Sequence, residues 1–305
     1  MAYSSVTRAA AFAPNLITPI EPGERQRNAT AREAAASAQH SVHTTAFRTL
    51  EVAAASICGT AHPDNEDTHS PLDAAVPLFV VADGVGGGAM AQTASRELVA
   101  LLHASLAAGP PQAETVRRAM LAADRAIASR IAQVTPAPGA ATVALCAPLN
   151  LRASKWLVAW VGDCRVYRFA ADGAGQIELL SRDDSFRQLG ETPPAGASPD
   201  DPARMVGNGA THGGNVELHP LGAGELLLLC SDGVHKHLDN AAWRQVLTLP
   251  RPLAQRCADL VALARERGSS DDATVLAVQR DGASLPRPSS MLRRGPSDDL
   301  PRSLP

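Results

Sequence analysis

Acidic residues recur beside the apolar, strand-like segments of this 305-residue sequence, and this recurrence constrains the fold more than any other feature. They lie shortly after such segments or just before one: Glu66 and Asp67, Asp83, Asp163, Asp232, and Asp271 and Asp272. A single Asp-Gly step after a strand is an ordinary turn, because both residue types tolerate turn geometry. Turn formation alone does not explain why an acid returns at the end of nearly every strand. We therefore expect the strands to converge on one edge where these carboxylates meet.

The apolar segments alternate with helical ones. Residues 76–82 are predicted to form a buried strand, and the helix expected after them carries apolar residues at helical spacing. A Gly-Pro-Pro break at 109–111 separates it from a second amphipathic helix, so the two should pack as an antiparallel pair. Further strands are predicted at 141–149, 155–161, 165–169, 177–180, 216–219, 226–230 and 273–278, with a late helix around 253–264. Runs of strands interrupted by helical pairs, rather than strict βαβ alternation, predict an α+β fold with antiparallel sheets.

Composition divides the chain into three parts. Residues 1–48 are rich in Ala, Ser, Thr and Arg without sustained periodicity, and we expect a disordered or loosely structured arm. Residues 281–305 are dense in Pro, Ser and Arg, which predicts a disordered tail. One domain at 49–280 lies between them.

Bulk properties exclude several function classes. The net charge of −3 is too small to indicate nucleic acid or an anionic membrane as a partner. The five cysteines are widely spaced and form no C-x-x-C pair, which is typical of reduced core thiols rather than of a zinc or disulfide scaffold. The first residues lack a signal peptide's apolar region, and no stretch approaches the ~18 apolar residues of a membrane span. We expect a cytoplasmic monomer without a membrane segment.

A cluster of carboxylates, completed by a backbone carbonyl, forms a site of hard oxygen donors. Such donors suit Mg²⁺ or Mn²⁺ rather than zinc. Two ions ~3.5–4 Å apart can hold a bridging water, lower its pKa and neutralise charge on a phosphoryl group during in-line displacement. The acids therefore favour phosphoryl hydrolysis at a pair of Mn²⁺ or Mg²⁺ ions.

Six segments, in their order along the chain, carry a family resemblance over about residues 50–280. They are NED at 65–67, VADGVGG at 81–87, ATV at 141–143, GDCR at 162–165, SDG at 231–233 and DDATV at 271–275. This order resembles the metal-dependent protein phosphatases of type 2C (PPM) in their bacterial form. The resemblance implies a four-layer α-β-β-α sandwich of two antiparallel sheets flanked by helical pairs, with the metal site at one edge.

The resemblance also implies roles for the acids. Asp83 would bridge the two metals and the Gly84 carbonyl would complete one coordination shell, while Asp232 and Asp271 would bind the other ion. Glu66 and Asp67 would bind directly or through metal waters. Asp163 matches the aspartate associated with a third, weaker metal, and residues 184–214 correspond to a variable flap beside the active site.

Three positions depart from the family pattern. His62 stands where the family has a phosphate-gripping arginine, and a histidine offers neither the fixed fork nor the permanent charge of that residue. Asp272 replaces the asparagine that commonly follows the last metal aspartate, and it adds a negative charge beside the site. Val85 stands where eukaryotic members have a histidine that can act as a general acid; His235 and His237 are conceivable substitutes, but are interpreted as an exposed helix start.

The function that these features predict is hydrolysis of phosphoserine or phosphothreonine in proteins, within a serine/threonine kinase system. Asp83, Asp67 and His62 are the predicted catalytic residues. One alternative is a phosphatase-fold binding or regulatory module with weak catalysis, because His62 replaces the arginine. Another is a phosphatase with a specialised partner, such as an anti-sigma-factor antagonist. A dinucleotide-binding fingerprint at 86–91 (GGGAMA) is disfavoured, because two helices follow it instead of a second strand with an acid at its end.

Overall fold

The computed structural model describes residues 4–7, 38–44, 48–60, 64–87, 89–135, 139–170 and 175–281. The strands in these segments are β1 (Ser4–Thr7), β2 (Gln39–Thr44), β3 (Thr49–Ile57), β4 (Asp67–His69), β5 (Phe79–Val85), β6 (Ala140–Pro148), β7 (Lys155–Val161), β8 (Arg165–Ala170), β9 (Gln176–Leu179), β10 (Asn215–Pro220), β11 (Leu226–Cys230) and β12 (Ala273–Arg280). The helices are α1 (Ala89–Leu106), α2 (Ala113–Val134), α3 (Phe186–Leu189), α4 (Asp232–His235), α5 (Asn240–Leu247) and α6 (Leu253–Glu266).

The strands form two antiparallel sheets. The first has the order β1-β2-β3-β12-β11-β8-β9, and the second has the order β10-β7-β6-β5-β4. Because side chains alternate across a strand, each inner strand contributes to two layers of the core. In β5, Val80 and Ala82 face the α1–α2 pair, whereas Phe79 and Val81 pack between the sheets.

A third apolar cluster covers the opposite face of the first sheet. There Leu228 and Cys230 of β11 pack with Trp243 of α5 and Leu260 of α6. The layers therefore run helices, sheet, sheet, helices, and the predicted α+β fold of two antiparallel sheets flanked by helices is confirmed.

Part of the segment predicted as an arm lies in the first sheet. Residues 39–44 form β2, which pairs with β3 over its whole length, and residues 4–7 form β1, which pairs with β2. The buried His43 donates through Nε2 to the Leu72 carbonyl at 2.7 Å, and its ring meets Phe79 edge-on with centroids 5.6 Å apart. The sheet therefore extends beyond the domain boundary expected at 49. The predicted tail at 282–305 lies outside the described residues.

The cysteines are free thiols, and four of the five lie in the core. The five cysteines all lie in described segments, none of them forms a disulfide, and Cys146, Cys164, Cys230 and Cys257 are buried. Within the described segments, no helix combines the length and the apolar character needed to span a bilayer.

Candidate metal centre and active-site cleft

The strand pair β4–β5 places two acids side by side. Asp67 lies directly opposite Asp83 in the antiparallel register. Just before β4, the Glu66 carbonyl accepts the Gly84 N–H at 3.2 Å and the hydroxyl of the buried Ser95 at 2.6 Å. Helix α1, which carries Ser95, thus fixes the loop that presents Glu66.

Gly84 is required by the close approach of α1. A Cβ at this position would lie 2.3 Å from the carbonyl oxygen of Ala91, a backbone atom that cannot move without displacing the helix. The DG step at the end of β5 therefore allows the helix to pack against the strand beside the Asp83 carboxyl. Both residues still pair with β6, Asp83 opposite Thr142 and Gly84 opposite Ala141.

Asp163 lies in the tight turn between β7 and β8. Gly162 adopts a φ of 89°, which favours glycine, and a Cβ there would lie 2.4 Å from the Thr142 methyl group. The Asp163 carbonyl accepts from His235 Nε2 at 2.9 Å.

His235 corrects one sequence-based interpretation. It is 6% exposed and lies inside the molecule, not at an exposed helix start. Burial, followed by the charge of Arg165, lowers its pKa to about 4, so the ring is neutral at pH 7. The His235 ring holds the turn that carries Asp163. Sequence spacing gave no signal of this contact, because the two residues are 72 positions apart.

The ends of β11 and β12 supply the remaining acids. Asp232 begins α4 directly after β11, and Asp271 lies two residues before β12. Ser231, the residue before Asp232, donates its hydroxyl to Asp67 Oδ2 at 2.6 Å and accepts the Thr274 N–H at 3.0 Å. Ser231, which sequence reasoning treated only as part of the SDG motif, therefore connects the two sheets at the site.

These residues surround one cleft of about 560 Å³. Its acidic wall comprises Glu66, Asp83, Asp163, Asp232 and Asp271, together with Gly84. Asp67 lies behind this wall and is buried. The structure thus brings together all the predicted metal-binding residues, whereas His62 lies outside the described residues.

Electrostatics show that the acids act on one another. Burial raises the pKa of Asp83 well above its ordinary value, and the charges of Asp232, Asp67, Asp163 and Asp271 raise it further. Burial likewise raises the pKa of Asp163 to about 7. This arrangement favours protonation or the binding of a cation.

Asp232 and Lys236 form an exception within the cluster. Burial alone would raise the pKa of Asp232, but the Lys236 ammonium, by its charge and hydrogen bond, lowers it below the ordinary value. Lys236 Nζ lies 2.6 Å from Asp232 Oδ2 and 3.5 Å from Asp163 Oδ2. Sequence reasoning missed Lys236, although a lysine four residues after an aspartate at a helix start is a recognisable pairing signal.

Asp272 holds backbone instead of facing the cleft. Its Oδ1 accepts the Gly59 N–H at 2.5 Å and its Oδ2 accepts the Glu66 N–H at 2.6 Å. Both oxygens are therefore used, and the extra charge expected beside the site is bound to the loop that carries Glu66.

The predicted flap forms the other wall of the cleft. Phe186, Pro194, Ala197, Pro202 and Met205 line it. Two ion pairs within the flap, Arg187–Asp200 and Arg204–Glu191, join residues 187–191 to residues 200–204. The buried Asp124 of α2 accepts the Gly207 and Gly209 N–H groups at 2.7 and 3.0 Å, which fixes the flap's base to the helical pair.

The donor set fits a divalent cation in type, although the acids do not form a preassembled shell. Among the described residues, no group of three or more His, Cys, Asp and Glu side chains is arranged to hold a metal ion. However, three buried carboxylate oxygens of this acidic cluster lack a hydrogen-bond partner among the described residues: Asp67 Oδ1, Asp163 Oδ2 and Asp232 Oδ1. Buried charged oxygens without partners are costly, and a cation would satisfy them. Without a cation the carboxylates repel one another, which keeps them apart. We expect them to move closer together when an ion binds between them.

The glycine-rich segment after β5 does not form a dinucleotide site. It leads into α1, which packs against α2, and β5 pairs with antiparallel neighbours. A dinucleotide fingerprint requires a parallel βαβ unit.

Comparisons with known proteins agree with this fold and site. The sequence profile of the Protein phosphatase 2C family matches residues 60–272. The chain therefore belongs to the protein phosphatase 2C family. It is 29% identical over 238 residues to the serine/threonine protein phosphatase PstP of Mycobacterium tuberculosis, a match that covers 74% of this chain and 44% of that protein. The chain thus matches less than half the length of this curated relative.

Solved structures show the same architecture. PppA of Pseudomonas aeruginosa, described as a key regulatory component of T6SS, is 28% identical with a TM-score of 0.62, covering 76% of this chain and 97% of PppA. The catalytic domain of PstP in complex with two manganese ions is 24% identical with a TM-score of 0.63, covering 77% of this chain and 99% of that domain. At 24% identity, the similarity to the PstP catalytic domain shows a shared fold only.

Proposed function

We propose that this chain is a metal-dependent protein serine/threonine phosphatase that hydrolyses phosphoserine or phosphothreonine at a centre of two Mn²⁺ or Mg²⁺ ions. The observation that carries the proposal is the environment of Asp83, which lines one open cleft and whose pKa is raised by burial and by the charges of four other aspartates. A relative's catalytic domain has been solved with two manganese ions, and the hard oxygen donors here are of a type that suits such ions.

The proposed roles follow from where each side chain lies. Asp83 is central to the cluster and is assigned to both ions, and the Gly84 carbonyl is assigned to one of them. Asp232 and Asp271 are assigned to the second ion. Asp232 Oδ1 is free of hydrogen bonds among the described residues, while its Oδ2 is held by Lys236.

Glu66 and Asp67 complete the proposed set from β4 and the loop before it. Ser231 holds one oxygen of Asp67 and leaves Oδ1 without a hydrogen bond in the described part of the chain. When bound, divalent ions would lower the pKa of a water and neutralise charge on the phosphoryl group. The protein's part is to orient these oxygens and, through the flap, to limit access of solvent and substrate to the cleft.

The substrates would be phosphoproteins modified by a serine/threonine kinase, with the phosphatase acting as a cytoplasmic monomer. His62 is assigned to the substrate phosphate, because it replaces an arginine that grips the phosphate in the family. The flap, with its apolar Phe186, Pro194 and Met205, would contact the peptide around the phosphorylated residue.

Phosphatase assays on the full chain test the proposal. We expect turnover of p-nitrophenyl phosphate and of a phosphothreonine peptide with Mn²⁺ or Mg²⁺, loss of both with EDTA, and weak inhibition by vanadate. Asp83→Asn should abolish turnover, whereas Asp259→Asn, a matched control on the outer helix α6, should not change it. Activity that survives complete chelation would refute the metal mechanism.

The alternative function is a binding or regulatory module with this fold, favoured by the replacement of the arginine by His62. It predicts that the chain binds Mn²⁺ and a phosphopeptide but does not release phosphate. Calorimetric titration with a phosphothreonine peptide, run beside the turnover assay, separates the two.

A further inference from the structure

Lys236 connects two acids that come from different parts of the fold. Asp163 lies in the turn between β7 and β8, and Asp232 begins α4 after β11. Lys236 follows α4, and its Nζ lies 2.6 Å from Asp232 Oδ2 and 3.5 Å from Asp163 Oδ2. At 3.5 Å the second contact is an ion pair too long for a good hydrogen bond, which agrees with Asp163 Oδ2 having no hydrogen-bond partner in the described segments.

The position between these two carboxylates is built for a positive charge. The Asp163 side chain is only 4% exposed and that of Asp232 is 16% exposed, so water screens the two carboxylates little from each other, whereas the Lys236 side chain is 42% exposed. Lys236 is the only Lys or Arg among the described residues that line the cleft. The nearby Arg165 is engaged elsewhere, with two hydrogen bonds of 2.8 and 2.6 Å to Asp183.

The two carboxylate oxygens of Asp232 have different surroundings. Oδ2 is held by the ammonium, and Oδ1 is buried without a hydrogen-bond partner in the described part of the chain. A carboxylate in this state can bind a metal ion through Oδ1 without releasing Lys236. A further divalent ion between Asp163 and Asp232 would have to displace the ammonium or lie beside it, and like charges at that distance repel strongly.

We propose that the Lys236 ammonium is the resident cation of the Asp163–Asp232 position, so that the protein binds two metal ions and no third. This inference rests on the proposed function, because it concerns the same centre. It replaces the expectation that Asp163 holds a weak third metal. Asp163 then helps to position Lys236, and through it one oxygen of Asp232.

The composition of the chain offers a matched control. Its only two lysines are Lys155 and Lys236. Lys155 is exposed at the start of β7 and does not line the cleft. Lys155→Gln therefore removes the same charge from the chain without touching the acids.

The experiment counts bound metal on the full chain. Metal-stripped protein is dialysed against Mn²⁺ from micromolar to millimolar concentrations, and bound manganese is measured by mass spectrometry. Wild type, Lys155→Gln and Lys236→Arg should reach two ions per chain. Lys236→Gln keeps a group that can hydrogen-bond to Asp232 but lacks the charge, and it should take up a third ion at millimolar Mn²⁺. Asp163→Asn in the Lys236→Gln background should return the count to two.

Failure of this inference can be distinguished from failure of the proposed function. Three ions on the wild type, or two on Lys236→Gln, would overturn the assignment of Lys236 while leaving a metal-dependent phosphatase. No bound metal on the wild type would overturn both. Thermal unfolding in EDTA provides a second readout: Lys236→Gln should lower Tm and Lys155→Gln should not, and equal Tm values would show that the ammonium does not neutralise the cluster.

Discussion

Replacing Asp67 by asparagine is expected to stabilise the metal-free protein, although it removes a proposed metal-binding group. Burial raises the pKa of Asp67 from its ordinary 3.8 to about 8; hydrogen bonds from Ser231 and Thr274 oppose the rise, and the charges of Asp272 and Asp232 add to it. A group with a raised folded-state pKa favours folding below its unfolded pKa and loses that contribution as pH rises. The loss of folding free energy that the Asp67 carboxyl causes therefore grows from about pH 4 to about pH 8.

The size of the effect follows from the shift. About four pKa units at ~1.4 kcal/mol each set a ceiling of roughly 5–6 kcal/mol at pH 8. The amide oxygen that the substitution introduces can still accept the Ser231 hydroxyl, as the protonated carboxyl of the wild type does, so this bond adds little to the difference. We expect Asp67→Asn to gain roughly 5 kcal/mol at pH 8 and about 1.5 kcal/mol at pH 5, which lies only about one unit above the unfolded-state pKa.

Guanidinium unfolding measures this difference. Both proteins are unfolded in EDTA at pH 5, 6, 7 and 8, and the free energies of unfolding are compared at each pH. The gap between variant and wild type should widen with pH. With millimolar Mn²⁺ the order should reverse, because the ion stabilises only the protein that binds it.

Asp232→Asn is the control of opposite sign. Despite burial, Lys236 lowers the pKa of Asp232, so its charge favours folding above its unfolded pKa, and this contribution is lost only as pH falls. Asp232→Asn should therefore destabilise the metal-free protein at pH 8. If Asp67→Asn is the less stable protein at pH 8 in EDTA, or if both variants shift the same way, the electrostatic reasoning is wrong.

Three further predictions concern the surroundings of the site. Asp272→Ala should destabilise the protein by about 3 kcal/mol or more in thermal unfolding, since two charge-assisted hydrogen bonds are lost, and Asp272→Asn should cost less because one amide oxygen remains; equal losses would contradict this. A chain beginning at residue 48 should melt well below one beginning at 38, because it lacks β2 and the buried His43; identical melting would show that β2 is dispensable. His62→Arg should lower KM for a phosphopeptide about tenfold with little change in kcat, if one charge-assisted hydrogen bond is gained; an unchanged KM would place His62 away from the phosphate.

Periodic apolar residues were sufficient to predict most of the fold. The face of α2 formed by Val116, Met120, Ala123, Ile127 and Ile131 is buried as its spacing indicates. The strand predicted at 76–82 is shifted, and β5 runs from Phe79 to Val85. Its polar end continues the strand because Asp83, Gly84 and Val85 pair with β6, and hydropathy does not report backbone pairing.

The features missed are those in which polar residues are buried. Strand β2 reads QHSVHT and lacks an apolar alternation, yet Ser41 and His43 are almost fully buried. The contact between His235 and Asp163 was hidden because the two residues are 72 positions apart, whereas the pairing of Lys236 with Asp232 had a four-residue spacing signal that was overlooked. The acids at the strand ends could be predicted to meet. Which of them pairs with a positively charged group depends on distances that sequence spacing does not give.

The two oxygens of Asp272 have a consequence for how this region can be redesigned. They hold Gly59 and Glu66, and Thr60 is tied to the Ser270 carbonyl at 2.8 Å, so both ends of the segment that contains His62 are anchored to the same turn before β12. Substitutions between Thr60 and Glu66 therefore leave both anchors in place as long as Asp272 is kept, whereas a change at Asp272 releases Gly59 and Glu66 together.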